Sequence, residues 1–329
     1  MADFDAPAAV DLLIVSAKNS SYEYYIEPRI DRLAEQAVLI RPFSGDLVAA
    51  LVDYRAQGRK VDLLISRYLD SNTIRAINQC ASILNSVRYF IDDDLQAMVW
   101  DRSVPWLNKV RPAQTEYYMR RKPNLFDCVY TSTPILADVL SRRHPQVGYP
   151  VFWPPIGTIP DEPLPPINPN QLYYLAKMHG PEHAFLWPVI TEVLQRNPKA
   201  QFDVTANGYW ARRWREIDRV TVHPEMAPSV YKAFVRALPK AGLFLLPLTD
   251  SKLNQSRSDT KLFEVINTGS VAIASKHPVY SQAPVTHLDM RYDVWVEGIL
   301  NKMKSSALEV ERQNLRDYLR SRNLVAQEQ

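Results

Sequence analysis

The sequence predicts an α/β fold of two domains, each built on a parallel sheet with helices on both faces. Short apolar runs alternate with helical patterns in both halves of the chain, which is typical of strands joined by crossover helices. A proline-rich segment separates the two halves. The length of 329 residues is also more than twice the roughly 150 residues of an average domain.

The first half contains predicted strands that are mostly apolar, as expected for strands that a parallel sheet buries on both faces. In chain order these strands are Val10–Val15, Val38–Ile40, Val61–Ile65, Val87–Ile91 and Cys128–Tyr130. Helical spacing lies between or after them, at Glu27–Gln36, Asp46–Gln57, Asn72–Leu84 and Pro134–Arg142. The pattern predicts a first Rossmann-like domain over residues 1–153.

Seven prolines between residues 154 and 169 mark the end of this domain. Proline fixes φ and has no backbone N–H, so this segment is not expected inside a sheet or a helix. We interpret residues 154–170 as a semi-rigid linker between the domains.

The second half repeats the strand–helix alternation over residues 171–290. Its predicted strands are Leu172–Leu175, Gln201–Thr205, Val220–Val222, Leu243–Leu246 and Val271–Ala274. A charged helical pattern follows at Asp293–Asn323, and we expect the segment 291–329 to pack back on the first domain. Two Rossmann-like domains facing each other would form a cleft at the carboxyl ends of their strands, where open α/β sheets bind ligands.

Composition excludes several classes of protein. Only 9 glycines occur, and neither G-x-G-x-x-G nor G-x-x-x-x-G-K-[ST] is present, so the glycine-rich phosphate loops are absent. No run of 18 apolar residues predicts a transmembrane helix, and the acidic amino terminus does not resemble a signal peptide, so we expect a cytoplasmic protein. A net charge of +3 without a recognisable binding motif argues against nucleic acid as a partner. The two cysteines are too few for a disulfide framework.

The polar segment that follows the strand Leu243–Leu246 is the strongest candidate site. It leads into a helix whose first turn is expected to carry Ser258 and Asp259, and free N–H groups at a helix start favour an anion. Lys261 and Glu264 lie three residues apart and therefore on one helix face. A lysine suits a diphosphate, and a carboxylate accepts hydrogen bonds from ribose hydroxyls. The alternative is an ordinary capped helix with a surface Lys/Glu pair.

This segment resembles the carboxyl-terminal half of the group-1 (family 4-like) retaining glycosyltransferases, which have the GT-B fold. The residues that match the family signature are Asn254, Ser258, Lys261, Glu264, Gly269, Ala274, Ser275 and Tyr280. Leu253 and Arg257 replace a phenylalanine and a lysine, and Ser256 stands where family members often have a second glutamate. The resemblance implies that Glu264 binds the ribose of a sugar nucleotide, while the preceding loop, including Asn254, Arg257, Ser258 and Asp259, contacts phosphate and sugar.

The loop of residues 176–183 is similar to a second family segment, Gly-Ser-x-x-His-x-x-Asp. His179 and Glu182 stand at the matching positions, and Ala176 replaces the glycine. The resemblance implies that Lys177 and the candidate catalytic residue His179 face the diphosphate. A structural or solvent-exposed role is the alternative for a loop histidine.

The carboxylates Asp92, Asp93 and Asp94 follow the strand Val87–Ile91 directly. An aspartate at a strand end can orient or deprotonate an acceptor hydroxyl, so all three are catalytic candidates. Two alternatives stay open. One is capping of the helix predicted at Leu95–Trp100, and the other is a metal pair, because Asp92-x-Asp94 resembles the D-x-D motif of the GT-A glycosyltransferases.

An aromatic and basic region follows these carboxylates. Aromatic rings stack on sugars and also anchor proteins at membrane interfaces, and arginines attract anionic groups. A solvated basic helix is the alternative. The candidate residues on the acceptor or membrane side are Trp100, Trp106, Tyr117, Arg120 and Arg121.

The resemblance implies a glycosyltransferase that moves a sugar from a nucleotide-sugar donor to a saccharide or lipid-linked saccharide. The expected setting is bacterial surface polysaccharide or lipopolysaccharide synthesis at the inner face of the cytoplasmic membrane. Retention of configuration, independence from metals and the lack of any cofactor besides the nucleotide-sugar co-substrate come with the resemblance. The alternatives are a metal-dependent GT-A enzyme that uses Asp92 and Asp94, and a non-catalytic nucleotide-sugar-binding protein.

Overall fold

A computed structural model describes residues 11–34, 36–147, 150–161, 163–176, 180–238 and 240–328. The chain divides into two compact units. The first unit contains the residues up to Ile156 together with 256–258, and the second contains Gly157–Gln255 and Asp259–Glu328. The boundary near residue 156 falls at the start of the proline-rich segment.

The first unit has a six-stranded parallel sheet. Its strands are β1 (Asp11–Val15), β2 (Ala37–Ile40), β3 (Val61–Ser66), β4 (Leu84–Ile91), β5 (Cys128–Thr131) and β6 (Pro150–Phe152). Their order is β2-β1-β3-β4-β5-β6, and every neighbouring pair is parallel. β2 pairs with one edge of β1, and β3 pairs with the other edge and is followed by the later strands. The strand order therefore reverses between β1 and β3.

Helices cover both faces of this sheet, and aliphatic and aromatic residues form the core. The helices are α1 (Ile30–Leu33), α2 (Asp46–Ala56), α3 (Ser71–Gln79), α4 (Leu95–Trp100), α5 (Val110–Arg121) and α6 (Pro134–Arg143). Side chains of Asp70, Asp94 and Thr133 accept the backbone N–H at the third position of α3, α4 and α6.

The helix expected at Glu27–Gln36 is not regular. A π-helical turn at Tyr22–Ile26 leads into a 3₁₀ turn at Glu27–Arg29 and then into the short α1. Pro28 has no N–H to donate to the preceding turn, which explains why a continuous α-helix does not run through this segment.

The second unit has another six-stranded parallel sheet. Its strands are β7 (Ile167–Tyr174), β8 (Gln201–Thr205), β9 (Val220–His223), β10 (Ala241–Leu246), β11 (Val271–Ser275) and β12 (Thr286–Leu288). The order is β12-β11-β10-β7-β8-β9, which is the order of the Rossmann fold. This order places the reversal between β7 and β10.

The linker expectation is wrong at its end, because β7 begins at Ile167 and contains Pro169. The pairing with β8 starts only at Gln171, and the pairing with β10 is irregular before Leu172. Pro169 therefore lies where the ladder does not require its missing N–H.

The helices of the second unit pack on both faces of its sheet around a separate core. They are α7 (Gly180–Arg196), α8 (Gly208–Arg215), α9 (Pro228–Arg236), α10 (Lys252–Gln255), α11 (Lys261–Asn267), α12 (Tyr292–Met303) and α13 (Leu308–Glu328). The charged pattern expected as one helix at Asp293–Asn323 is thus two helices. None of the helices in the described ranges has the length and apolar character needed to cross a bilayer.

The last helix, α13, lies against α11 and β11. Its arginines bind the proline-rich segment, since Arg312 donates to the carbonyl of Pro165 at 2.6 Å and Arg320 pairs with Asp161 at 2.6 Å. A segment poor in N–H groups leaves carbonyls to be satisfied by side chains, and α13 supplies those donors. Contact of the carboxyl-terminal segment with the first domain stays a prediction.

Candidate functional site

The second unit places charged groups at the reversal between β7 and β10. Leu175 follows the last residue of β7, and α11 follows the loop after β10. Open α/β sheets bind ligands outside the carboxyl ends of their strands at such a point.

Lys261 and Glu264 form a compact cluster with Tyr231 there. The Nζ of Lys261 donates to Glu264 Oε2 at 2.6 Å, to the Tyr231 hydroxyl at 3.0 Å and to the Leu175 carbonyl at 2.8 Å. The Tyr231 hydroxyl lies 2.5 Å from the same Glu264 oxygen, and the ammonium stands 4.9 Å from the centre of the Tyr231 ring. The expectation that Lys261 and Glu264 share a helix face is confirmed.

This cluster combines a cation with a carboxylate, and both side chains are only partly buried. A carboxylate in this position can accept hydrogen bonds from a diol, and an ammonium can bind a phosphate. Tyr231 was not found from the sequence. It lies 30 residues before Lys261 on a different helix, and no local pattern indicates that contact.

Asn254 is buried and holds the loop that follows β10. Its Nδ2 donates to the Thr249 carbonyl at 2.8 Å and lies 3.4 Å from Glu182 Oε1. The same Glu182 oxygen accepts the Thr249 hydroxyl at 2.9 Å and the Thr249 N–H at 3.2 Å. Asn254 and Glu182, which both match family positions, therefore fix the loop to the start of α7.

The start of α11 differs from the expectation. The helix begins at Lys261, so Ser258 and Asp259 precede it instead of forming its first turn. Asp259 is only partly exposed and pairs with Arg322 of α13. Burial raises the pKa of the Asp259 carboxyl, and the Arg322 charge opposes that shift. Asp259 thus joins α13 to the segment that leads into α11.

The other predicted donor residues fall into two groups. Lys177 and His179 lie outside the described residues. Arg257 and Ser258 group with the first unit, together with the buried Ser256, whose carbonyl accepts a hydrogen bond from Thr133 at 3.0 Å.

The first unit gathers a second charged cluster at the carboxyl ends of its strands. Ser21 lies in the connection after β1, Arg67 follows β3, and Asp92 and Asp93 follow β4. Arg67 Nη2 donates to Asp93 Oδ2 at 2.6 Å, and its Nε lies 3.2 Å from Asp92 Oδ1. The Ser21 hydroxyl donates to Asp92.

Arg67 has a left-handed backbone conformation, with φ at 68°. Its carbonyl accepts the Tyr89 hydroxyl at 2.5 Å, and its N–H donates to the Phe90 carbonyl at 2.9 Å. A non-glycine residue with positive φ is strained and persists only where its surroundings hold it. Here the fixed backbone directs the guanidinium at both carboxylates.

Burial raises the pKa of Asp92, the Arg67 charge lowers it, and the neighbouring Asp93 raises it further. A carboxyl with a raised pKa holds its proton into a higher pH range than an exposed aspartate does. This electrostatic setting suits a group that orients or deprotonates a hydroxyl.

Asp94 has different partners from Asp92 and Asp93. Its Oδ1 accepts the Ala97 N–H at 3.0 Å, so it caps α4. Arg143 binds both carboxylate oxygens, at 2.7 and 2.9 Å. The capping alternative is therefore confirmed for Asp94. Among the residues that the structure describes, no group of three or more His, Cys, Asp or Glu side chains is arranged to hold a metal ion.

The aromatic and basic region lies on α4, α5 and the segment between them. Trp100 is 78% exposed, Trp106 72% and Tyr117 56%, and Arg120 and Arg121 are also exposed. A cavity of about 450 Å³ opens between α4 and α5. The structure thus brings Trp100, Tyr117, Arg120 and Arg121 together around one cavity, whereas Trp106 is not among its lining residues.

No protein-family model matches the sequence, and no curated protein matches it. Solved structures do match in fold. The pneumococcal O-GlcNAc transferase GtfA, in complex with UDP and GlcNAc, has 14% sequence identity and a TM-score of 0.51. That alignment covers 87% of this chain and 57% of GtfA, so this chain spans less than two thirds of that protein.

Two further structures match over nearly their full length. The α,α-trehalose 6-phosphate synthase from Burkholderia multivorans has 11% identity and a TM-score of 0.57, with 98% of this chain and 96% of that chain covered. A UDP-N-acetylglucosamine 2-epimerase described as putative, from Listeria monocytogenes, has 7% identity and a TM-score of 0.56, with 94% and 91% covered. At these identities the likeness shows the fold: the chain has the architecture of two Rossmann-like domains that GT-B glycosyltransferases have.

Proposed function

We propose that this protein transfers a glycosyl group from a nucleoside diphosphate sugar to a saccharide acceptor, and that its second unit binds the donor nucleotide. The observation that carries the proposal is the cluster of Lys261, Glu264 and Tyr231 at the reversal between β7 and β10. A carboxylate and an ammonium side by side at this point match the ribose and the diphosphate of such a donor.

In this proposal Glu264 accepts hydrogen bonds from the ribose hydroxyls, and Lys261 binds the diphosphate. Lys261 is held by Glu264 and by the Leu175 carbonyl, so a diphosphate must compete with these partners. Two negative phosphates in a partly buried site favour that exchange. The remaining donor contacts in the second unit are assigned to Lys177 and the loop that Asn254 holds, and His179 is assigned a catalytic role. Contacts of Arg257 and Ser258 with the donor stay predictions from the resemblance.

We assign the acceptor to the first unit, where Asp92 and Asp93 orient or deprotonate its hydroxyl. Retention of configuration without a metal is part of the same proposal, with cationic side chains stabilising the leaving diphosphate. Arg67 pairs with Asp92 and Arg143 pairs with Asp94, so each carboxylate of the alternative metal pair already has a cationic partner. The GT-A alternative does not fit the fold, because the chain has a second complete six-stranded sheet.

The proposed setting is synthesis of a bacterial surface polysaccharide or lipopolysaccharide. Support comes from the exposed Trp100 and Trp106 beside basic residues, since such a surface can lie against an anionic membrane that carries a lipid-linked acceptor.

The donor proposal is tested by calorimetry and thermal unfolding of the whole protein with UDP, GDP, CMP and dTDP sugars. We expect one nucleotide class to bind and to raise the Tm. Glu264→Gln should weaken that binding about 10- to 100-fold, because it removes a charged acceptor of about 1.5–3 kcal/mol. The exposed Glu216→Gln is the matched control and should bind as the wild type does.

Turnover separates this function from its alternatives. A donor incubated with saccharide acceptors should yield a new glycosidic product, and EDTA should leave the rate unchanged. Nucleotide-sugar binding without transfer or hydrolysis indicates a binding protein. Conversion of the donor sugar to its epimer points instead to the reaction named for the Listeria structure. No binding of any nucleotide sugar overturns the proposal.

A further inference from the structure

The cavity between α4 and α5 in the first unit has no role in donor binding as proposed above. Its volume of about 450 Å³ lies in the range of small-molecule pockets. The polar and aromatic side chains that line it are Gln96, Trp100, Glu116, Tyr117, Arg120 and Arg121. This mixture of flat rings with hydrogen-bonding groups differs from the aliphatic lining of a packing defect.

Glu116 is the buried member of this lining. Its Oε1 lies 3.0 Å from Nε2 of the buried His144, which is within hydrogen-bond distance. Its Oε2 is also buried and has no hydrogen-bond partner among the described residues. Buried carboxylate oxygens are nearly always paired, so Glu116 has an acceptor without a donor in a side chain that lines the cavity.

Two aromatic rings at the cavity mouth are exposed to an unusual degree. Trp100 and Tyr117 both line the cavity, and more than half of each is open to solvent. Large exposed rings beside a cavity mark a binding surface, since burying them against a partner is favourable. A sugar ring presents a flat C–H face to an aromatic ring and hydroxyls at its edge, which suits this lining.

Two arginines add positive charge. The guanidinium of Arg121 stands 5.8 Å from the centre of the Tyr117 ring, so it is held beside the aromatic wall. Arg120 lines the same cavity. Planar guanidinium groups bind phosphate and carboxylate with two parallel hydrogen bonds.

We propose that this cavity binds a sugar ring that carries a phosphate or a carboxylate. The ring lies against Trp100 and Tyr117, one of its hydroxyls donates to Glu116, and the anionic substituent meets Arg120 and Arg121. The role of this site as an acceptor subsite rests on the proposed function, whereas the binding itself does not.

A membrane surface is the competing partner for this region. Trp106 and Leu107 are exposed close by, and apolar side chains with basic neighbours favour an anionic bilayer. A bilayer, however, has no need for a concave cavity with a buried carboxylate bonded to a histidine. The cavity therefore favours the anionic sugar, and the bilayer becomes an outcome of the test.

The test uses saturation-transfer NMR and tryptophan fluorescence on the full chain with glucuronate, glucose 6-phosphate, glucose and inorganic phosphate. We expect the two charged sugars to bind at least tenfold more tightly than glucose or phosphate. Trp100→Ala and Glu116→Gln should each weaken that binding about tenfold. The exposed aromatic substitution Tyr209→Ala, in the second unit, is the matched control and should have no effect.

Equal binding of inorganic phosphate and glucose 6-phosphate overturns the proposal, because it indicates a surface anion site only. The proposal is also overturned if no sugar binds and the protein instead binds anionic phospholipid vesicles in a way that Trp106→Ala abolishes. If the proposed function fails, the result is different. No nucleotide sugar then binds to the wild type, whereas the charged sugars still bind to the wild type and to Glu264→Gln.

Discussion

The Tyr231 hydroxyl joins two parts of the chain that no local pattern connects. It contacts both Glu264 and Lys261, and its ring lies under the Lys261 ammonium. Tyr231 therefore positions Lys261 and Glu264, the pair that the sequence identifies. Tyr231 itself is not proposed to contact the donor.

Tyr231→Phe should raise the KM for the nucleotide sugar about tenfold and change kcat much less. The loss of one hydrogen bond to a charged group, about 1.5 kcal/mol, corresponds to that factor. Steady-state kinetics checks the split, with Tyr209→Phe on the exposed face of α8 as the control. An unchanged KM would show that the hydroxyl does not position Glu264.

Asp92 should make stability depend on pH. Burial raises its pKa in the folded state. Its contribution to the free energy of unfolding is therefore complete below the unfolded pKa of about 3.9 and is lost as the pH rises through the folded pKa. Asp92→Asn should remove this loss, so the variant gains stability relative to the wild type as the pH rises.

Urea denaturation between pH 4 and pH 8 measures this difference. The exposed Asp53→Asn on α2 serves as the control and should follow the wild-type curve. Parallel curves for the wild type and Asp92→Asn would contradict the assigned pKa direction.

The carboxylates at residues 92–94 show the limit of residue-level prediction. The sequence places all three at a strand end, and this is confirmed. It does not say that Asp94 caps α4 and binds Arg143 while the other two bind Arg67. Arg67 lies 26 residues from Asp93, and Arg143 lies 49 residues from Asp94, so these contacts depend on the fold and not on the local sequence.

Gly269 ends α11 and also allows the proline-rich segment to approach the end of this helix closely. Its φ is 71°, and a Cβ atom there would stand 3.2 Å from Pro165 and 3.3 Å from Leu164. The glycine thus serves both the left-handed helix end and the close approach of the proline-rich segment.

Gly269→Ala should lower the free energy of unfolding by about 2 kcal/mol, the backbone cost of about 1 kcal/mol plus a similar packing cost. Gly58→Ala is a matched control, because Gly58 also has positive φ but has open space around it. The difference between the two variants in urea denaturation isolates the packing contribution. Equal losses of unfolding free energy in the two variants would mean that the proline-rich segment shifts to make room for the new methyl group without a packing cost.

At the scale of the whole molecule, each unit has its own sheet and its own apolar core. From Gly157 onward, the proline-rich segment belongs to the second unit. Gly157 packs so closely on Phe263 that a Cβ would stand 2.3 Å from the ring, and Asn323 donates to the Gly157 carbonyl at 2.7 Å.

A fragment of residues 157–328 should therefore fold alone and unfold cooperatively. A fragment of residues 171–328, cut at the end of the linker that the sequence predicts, should have a Tm lower by at least several degrees. It loses the start of β7 and the Pro165 carbonyl that Arg312 binds. Circular dichroism measured on heating gives the Tm of each of the two fragments. Equal Tm values would show that residues 157–170 do not stabilise this unit.

Features that depend on neighbours along the chain could be predicted from the amino-acid sequence. Apolar runs predicted the strands except β6 and β12, prolines indicated the boundary region, and spacing of three placed Lys261 and Glu264 on one helix face. The tertiary structure decided which distant residues meet: Tyr231 with Glu264, Arg67 with Asp92 and Asp93, and Glu116 with His144. Such contacts depend on the order of parallel strands and the packing of their crossover helices, which the local pattern of a single sequence does not specify.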